Sequence, residues 1–270
     1  MAIKNMPYWK WALLLAASLV LAVLLYGIGS LVSLVPQEWL RWPLYIVTCV
    51  LMVWLYSLVV RWFEKEPAHD LPLGKLPAHL GSGFALGLCY FILVVCIMMA
   101  AGCYRITGFG KDLRGILEFF FMFTVVAVGE EILFRGVLFR WIDEQFGFAA
   151  ALVVSAFVFG LVHISNPGGS WWSSIAIAIE AGLLLGAAYK YSGTLWLPIG
   201  IHWAWNFSQG NIFGFEVSGG DAGASLFIPS IQGPAIVTGG EFGAEASIIA
   251  VVLGAALATW FIAAVAKRSR

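Results

Sequence analysis

Three charged side chains interrupt an otherwise apolar stretch: Glu130, Glu131 and Arg135, in the run Val128-Gly-Glu-Glu-Ile-Leu-Phe-Arg-Gly-Val. A charge at the centre of a membrane helix costs roughly 2.5–3.5 kcal/mol even on a lenient insertion scale, so such residues need a reason to be there. Glu131 and Arg135 are four apart and meet on one helix face, where they neutralise each other. Glu130 is turned about 100° away, and its charge is left for a different neighbour. Gly129 and Gly136 bracket the charges and would let another backbone approach.

Two of the four histidines also lie in apolar stretches. His163 ends the run Phe159-Gly-Leu-Val-His, and His202 opens the run His-Trp-Ala-Trp-Asn206. Both runs have i, i+4 spacing, so Phe159 stacks on the His163 face and Asn206 points the same way as His202. His69 and His79 sit in or beside a polar connection and are expected to be solvated. A spare carboxylate, an imidazole and further donors are the parts needed for attack of water on a carbonyl. Glu130 would act as base, His163 would share its proton and hold the water, and His202 and Asn206 would donate to the oxyanion. Ser155 and Ser208 lie nearby in sequence, but nothing marks either as an activated nucleophile. Two other readings stay open on spacing alone. One is a proton-coupled transporter, to which Glu180 as a solitary intramembrane acid contributes. The other is a non-catalytic scaffold whose polar network fixes helix register. Glu180 could also bond to Ser173 or Ser174 or join the site.

The elements that must carry these residues are transmembrane helices. In 270 residues, 61% are hydrophobic and 11% are charged, against roughly a quarter charged in soluble domains. The mean hydropathy is +0.91. Zero formal charge excludes a basic nucleic-acid binder. Long apolar spans cover Trp11–Val35, Trp42–Val60, Leu80–Ala101, Ile116–Phe139 and Ala246–Ala266. Shorter ones cover Phe148–Ile164, Ile175–Tyr189 and Leu195–Phe207. An all-α polytopic membrane protein of about eight helices, forming a single membrane domain, is expected. Cys49, Cys89, Cys96 and Cys103 read as small buried hydrophobes without disulfide or metal roles. Trp9, Trp11, Trp39, Trp42, Trp62, Trp171 and Trp172 lie at span edges, where indole rings favour the interface.

With the N-terminus inside, inner segments hold Lys4, Lys10, Arg61, Lys65, Lys75, Arg140, Lys190, Lys267, Arg268 and Arg270, and outer ones hold Arg41, Arg105, Lys111 and Arg114. This asymmetry puts both termini in the cytoplasm. The stretch from Gln209 to Glu245 lacks Lys and Arg and is expected to be an outer loop. At 1.5 Å per residue, Glu130 lies about 20 Å from the outer end of its span and His163 about 22 Å from the inner end of its own. They meet near mid-membrane only if one helix is tilted or shifted.

The three motifs resemble those of the CPBP intramembrane proteases, also called the Abi family, which includes the Ras-converting CAAX prenyl endopeptidases. The family pattern EExxxR is similar to Glu130 to Arg135, FxxxH to Phe159 to His163, and HxxxN to His202 to Asn206, in the same order. The core of the match runs from about Val125 to Gly210, within a catalytic region of 113–210. Residues 1–110 match poorly, and 211–270 supply an outer loop and the last helix. The resemblance implies that Glu130 activates water with His163, that Glu131 and Arg135 support them, and that His202 and Asn206 stabilise the oxyanion. It implies a peptide or protein substrate in or near a cell membrane, lipidated or a leader peptide, and no nucleic acid. The family has been called metallo, and Glu and His side chains can hold zinc. With HExxH absent, a metal-independent mechanism without a cofactor is favoured.

Overall fold

The structure, a computed structural model, describes residues 7–268. Lys4 and Arg270, counted above for orientation, lie outside the described residues. Helices α1 (Tyr8–Val32), α2 (Glu38–Glu64) and α3 (Leu76–Ala100) lead to a short strand, β1 (Tyr104–Phe109). Helix α4 (Leu113–Glu131) runs on through a π-helical stretch, Ile132–Phe139, into α5 (Arg140–Phe146). Helix α6 (Phe148–Val162) ends in a 3₁₀ turn at His163–Ser165. The next rod comprises α7 (Trp171–Ile177), a π-helical stretch at Ala178–Leu183, and α8 (Leu184–Ser192). Helix α9 (Trp196–Phe207) ends in a third π-helical stretch, Ser208–Ile212. Strand β2 (Phe227–Ile231), the short α10 (Ala235–Thr238) and α11 (Ile248–Arg268) complete the described chain.

The all-α expectation holds for the membrane part. Five helical segments among the described residues are long and apolar enough to cross a bilayer: 38–64, 73–100, 148–165, 171–192 and 248–268. Length and composition thus support five spans of the expected eight. The segment expected to be an outer loop is more ordered than a loop: β2 within it pairs antiparallel with β1, with an irregularity between Ile106 and Gly108.

Close backbone approach seats the helix that carries His202. A Cβ on Gly83 would lie 2.3 Å from the Leu197 carbonyl oxygen, and one on Gly87 would lie 2.3 Å from that of Ile201. Glycine four residues apart on α3 therefore lets α9 pack backbone to backbone, the small-residue contact that holds membrane helices together where burial from water contributes little. Gly160 does the same for α6 against the Ser174 carbonyl of α7, at 2.2 Å from its built Cβ. Gly136 instead accommodates a side chain: the Tyr56 hydroxyl donates to its carbonyl oxygen at 3.0 Å.

Two expectations are corrected. Cys89 and Cys96 are exposed, and Cys49 and Cys103 are partly so, although all four were expected to be buried. Lipid and protein interior are both apolar, so an apolar run does not say which of the two a small residue faces. Trp11 is buried rather than interfacial, its ring 5.2 Å from that of Trp141. Trp9, Trp39, Trp62 and Trp171 are exposed, as rings at the interface should be.

Candidate active site

Glu130 and Glu131 occupy the last turn of α4, immediately before the π-helical stretch. Such stretches are rare and recur at functional sites, because the extra residue per turn leaves backbone carbonyls without helical partners. Here the freed groups are used. Arg135 Nη2 donates to the carbonyl oxygens of Ala181 and Gly182, 3.2 and 3.3 Å away, inside the second π-helical stretch. Its Nη1 donates to Glu131 Oε1 at 2.7 Å, so the expected pair forms, with both side chains almost wholly buried.

That pair is not self-contained. Glu131 Oε1 also accepts from His202 Nδ1 at 2.9 Å, and one carboxylate oxygen thus ties the α4 motif to α9. Since the carboxylate only accepts, Nδ1 of His202 carries a proton, and Nε2 is turned towards Glu130, with Oε2 3.9 Å away. The side chain of Glu130 retains 20% of its exposure whereas that of Glu131 retains none, so adjacent glutamates have opposite environments.

His163 lies in the 3₁₀ turn that ends α6 and is buried. Its Nδ1 is 2.7 Å from the Phe159 carbonyl oxygen. A carbonyl can only accept, so the proton sits on Nδ1, and the neutral ring keeps its lone pair on Nε2. The i, i+4 spacing noted in the sequence therefore does more than stack rings: the Phe159 backbone fixes the tautomer of His163. The Phe159 ring lies 5.0 Å from the His163 ring and 6.2 Å from that of His202, with the Arg135 guanidinium 4.5 Å above it. The sequence predicted the first contact and neither of the others.

Glu130, His163, His202 and Asn206, from α4, α6 and its final turn, and α9, line one cavity of about 350 Å³. The depth mismatch between Glu130 and His163 is therefore resolved by helix placement. Phe119, Met122, Phe123 and Val126 form an apolar wall, and the loop from Val217 to Ala222 forms the rim. Asn206 is buried and also borders a smaller adjoining pocket, as do His163 and His202. Glu245 reaches that pocket from the turn preceding α11, and its carboxylate accepts from the Ser218 backbone N–H. Burial pushes its carboxyl up to about 7. Sequence reading placed Glu245 in an outer loop, and no local spacing signals that it turns inwards.

The remaining polar candidates lie elsewhere. Glu180, in the second π-helical stretch, is fully buried and accepts from the Tyr90 hydroxyl of α3 at 3.3 Å; the expected serine partners do not supply this contact. It lines neither pocket. Ser208 donates to the Ala204 and Trp205 carbonyl oxygens of its own helix, and Ser155 is buried. His79, expected to be solvated, lies 2.7 Å from the Thr194 hydroxyl. Among the described residues, no three His, Cys, Asp or Glu side chains group as metal ligands would.

The comparisons agree with the motifs. The chain matches no curated protein. It matches no solved structure. Residues 112–208 do match the family model described as type II CAAX prenyl endopeptidase Rce1-like, and this segment holds Glu130, Glu131, Arg135, Phe159, His163, His202 and Asn206. Across residues 112–208 the chain is therefore similar to the type II CAAX prenyl endopeptidase Rce1-like family.

Proposed function

We propose that the protein is an intramembrane endopeptidase in which Glu130 and His163 activate a water molecule for attack on a peptide carbonyl. The observation that carries this reading is the convergence of Glu130, His163, His202 and Asn206 on one cavity from three separate stretches of chain. Glu130 is partly exposed there and, with His202 Nε2 3.9 Å from its Oε2, is not held in a direct hydrogen-bonded ion pair of the kind that locks Glu131 to Arg135. His163, its Nδ1 proton held by the Phe159 carbonyl, offers Nε2 as the second acceptor for the same water. His202 as an imidazolium donates Nδ1–H to Glu131 and presents Nε2–H on the cavity side, where with Asn206 it would meet the oxyanion of the tetrahedral intermediate. Arg135 and Glu131 hold His202 in that orientation.

The reaction is metal-independent in this reading. Both histidines already spend Nδ1 on protein acceptors, and the two acids play different parts: Glu131 is locked to Arg135 and His202, while Glu130 is left for chemistry. The substrate is a peptide or protein segment in or beside the bilayer. Its apolar side chain or lipid lies on the Phe119, Met122, Phe123 and Val126 wall. Both lipidated termini and leader peptides suit that wall. The membrane is the cell membrane, with both termini in the cytoplasm. A transporter reading draws less support, because Glu180, the acid it needs, is sealed against Tyr90 and outside the cavity. Comparative peptide profiling of membranes holding the wild-type protein or Glu130→Gln tests the proposal: peptides released only by the wild type support it, and identical profiles overturn it.

A further inference from the structure

The rim of the cavity contains a tight turn that its own sequence does not favour. Val217 and Gly220 each donate a backbone N–H to the other's carbonyl oxygen, at 2.9 and 2.8 Å, with Ser218 and Gly219 between them. Both central residues have left-handed backbones, φ +50° at Ser218 and +76° at Gly219, as in a type I′ turn. Gly, Asn and Asp dominate such positions, because a Cβ strains the left-handed region. Among the described residues, Ser218 and Lys65 alone are left-handed without being glycine. A residue kept in that conformation needs surroundings that hold it there.

Two side chains from distant elements do so. The Ser218 N–H donates to the Glu245 carboxylate, and the Ser218 carbonyl oxygen accepts from Asn166 Nδ2 at 3.0 Å. Gly219 N–H donates to the Phe242 carbonyl oxygen at 2.8 Å. A Cβ on Gly219 would lie 1.7 Å from the Pro167 carbonyl oxygen, so the turn sits backbone to backbone on the loop after α6.

These contacts lead to the catalytic candidates. Asn166 follows the 3₁₀ turn that carries His163, and its backbone N–H donates to the His163 carbonyl oxygen at 3.2 Å. Glu245 also accepts from the Trp205 side chain, which lies on α9 between His202 and Asn206 and stacks on Tyr90 of α3 with ring centroids 4.4 Å apart. Glu245 is 2% exposed, and Trp172 Nε1 anchors its turn by donating to the Ala246 carbonyl oxygen at 2.7 Å. It lies beyond the segment 112–208 that matches the family model.

We infer that Glu245 is a positioning residue: it clasps the Val217–Gly220 turn to the helix bearing His202 and Asn206, and so fixes the rim against which the peptide substrate binds. This deepens the peptidase reading and rests on it for the word substrate, while the clasp rests on the contacts alone. Loss of Glu245 releases the Ser218 side of the cavity wall. It leaves in place the Phe159 carbonyl that orients His163 and the Glu131 carboxylate that orients His202. The consequence falls on binding more than on the chemical step.

The test uses the full chain in detergent, with two readouts. Hydrogen–deuterium exchange over residues 213–223 reads the clasp, and steady-state cleavage of a quenched fluorescent peptide that the wild type cuts and Glu130→Gln does not reads its role. Glu245→Ala should speed exchange at Ser218 and Gly219 and raise KM about tenfold or more, with kcat within about threefold of wild type. Adding Ser218→Gly, which lets the turn keep its left-handed backbone without the clasp, should bring KM back towards wild type. Asn166→Ala releases the other side of Ser218 and should raise KM in the same way, which keeps the test available if Glu245→Ala does not fold. An unchanged KM, a loss confined to kcat, or no recovery with Ser218→Gly overturns the inference. If no peptide in the set is cleaved in a Glu130-dependent way, the peptidase reading falls and exchange alone decides the clasp, which unchanged exchange in Glu245→Ala would refute.

Discussion

Replacing each of two adjacent glutamates by glutamine separates chemistry from architecture. The side chain of Glu131 has no exposed surface, and its Oε1 is 2.7 Å from Arg135 Nη1 and 2.9 Å from His202 Nδ1. Glu131→Gln keeps the shape but leaves the Arg135 guanidinium, 1% exposed, without its counter-charge. Removing one partner of a buried ion pair costs about 3–5 kcal/mol, and the retained amide oxygen puts this change near the lower figure. Glu130 has a fifth of its side-chain surface exposed and its nearest charged neighbour 3.9 Å away. Glu130→Gln is therefore expected to alter stability by under about 1 kcal/mol. Loss of a general base, by contrast, typically costs 10²–10⁴-fold in rate, so Glu130→Gln should lose cleavage by about that factor. Thermal denaturation in detergent and peptide cleavage, measured on the same preparations, read both effects. The reasoning is refuted if Glu130→Gln destabilises as much as Glu131→Gln, or if it cleaves at the wild-type rate.

Three further outcomes are expected. Glu245, with its carboxyl pushed up from 4.5 to about 7, supports folding fully below about pH 4.5 and loses that support as pH rises through 7. The change is worth about 3 kcal/mol, so Glu245→Gln should flatten the decline in stability over that window; an unchanged slope contradicts the assignment. Gly87→Val places a side chain where a Cβ already lies 2.3 Å from the Ile201 carbonyl oxygen. Forcing α3 from α9 should cost about 1–3 kcal/mol or more and lower cleavage through displacement of His202, and a melting temperature equal to wild type would argue against that contact. Incubation with o-phenanthroline should leave cleavage unchanged; inhibition reversed by zinc would replace the metal-independent mechanism.

What the sequence disclosed was whatever depends on local spacing. Glu131 with Arg135 and Phe159 with His163 are four residues apart, and one helical turn suffices to bring each pair together. Hydropathy marked the spans for the same reason, since chain length and apolar content decide what can cross a bilayer. Partners from distant elements were not legible. The His202 contact with Glu131 joins residues 71 apart, and the Tyr90 contact with Glu180 joins residues 90 apart. The three π-helical stretches were also hidden, because their carbonyls are released by tertiary partners such as Arg135 rather than by a residue pattern. The strand pair escaped because hydropathy along the chain registers spans and overlooks a five- or six-residue strand outside them. Glu245 turns into the site only because Ser218 and the 239–246 turn hold it there.

The central claim is that two residues hold one water, and groups acting as a unit lose function together. The direct measurement is a double-mutant cycle on cleavage of one peptide by the reconstituted protein, comparing Glu130→Gln, His163→Ala and the two combined. Each single change should lose nearly all the activity that the double change loses. Independent losses that multiply, in variants that melt as the wild type does, would contradict a shared water between Glu130 and His163.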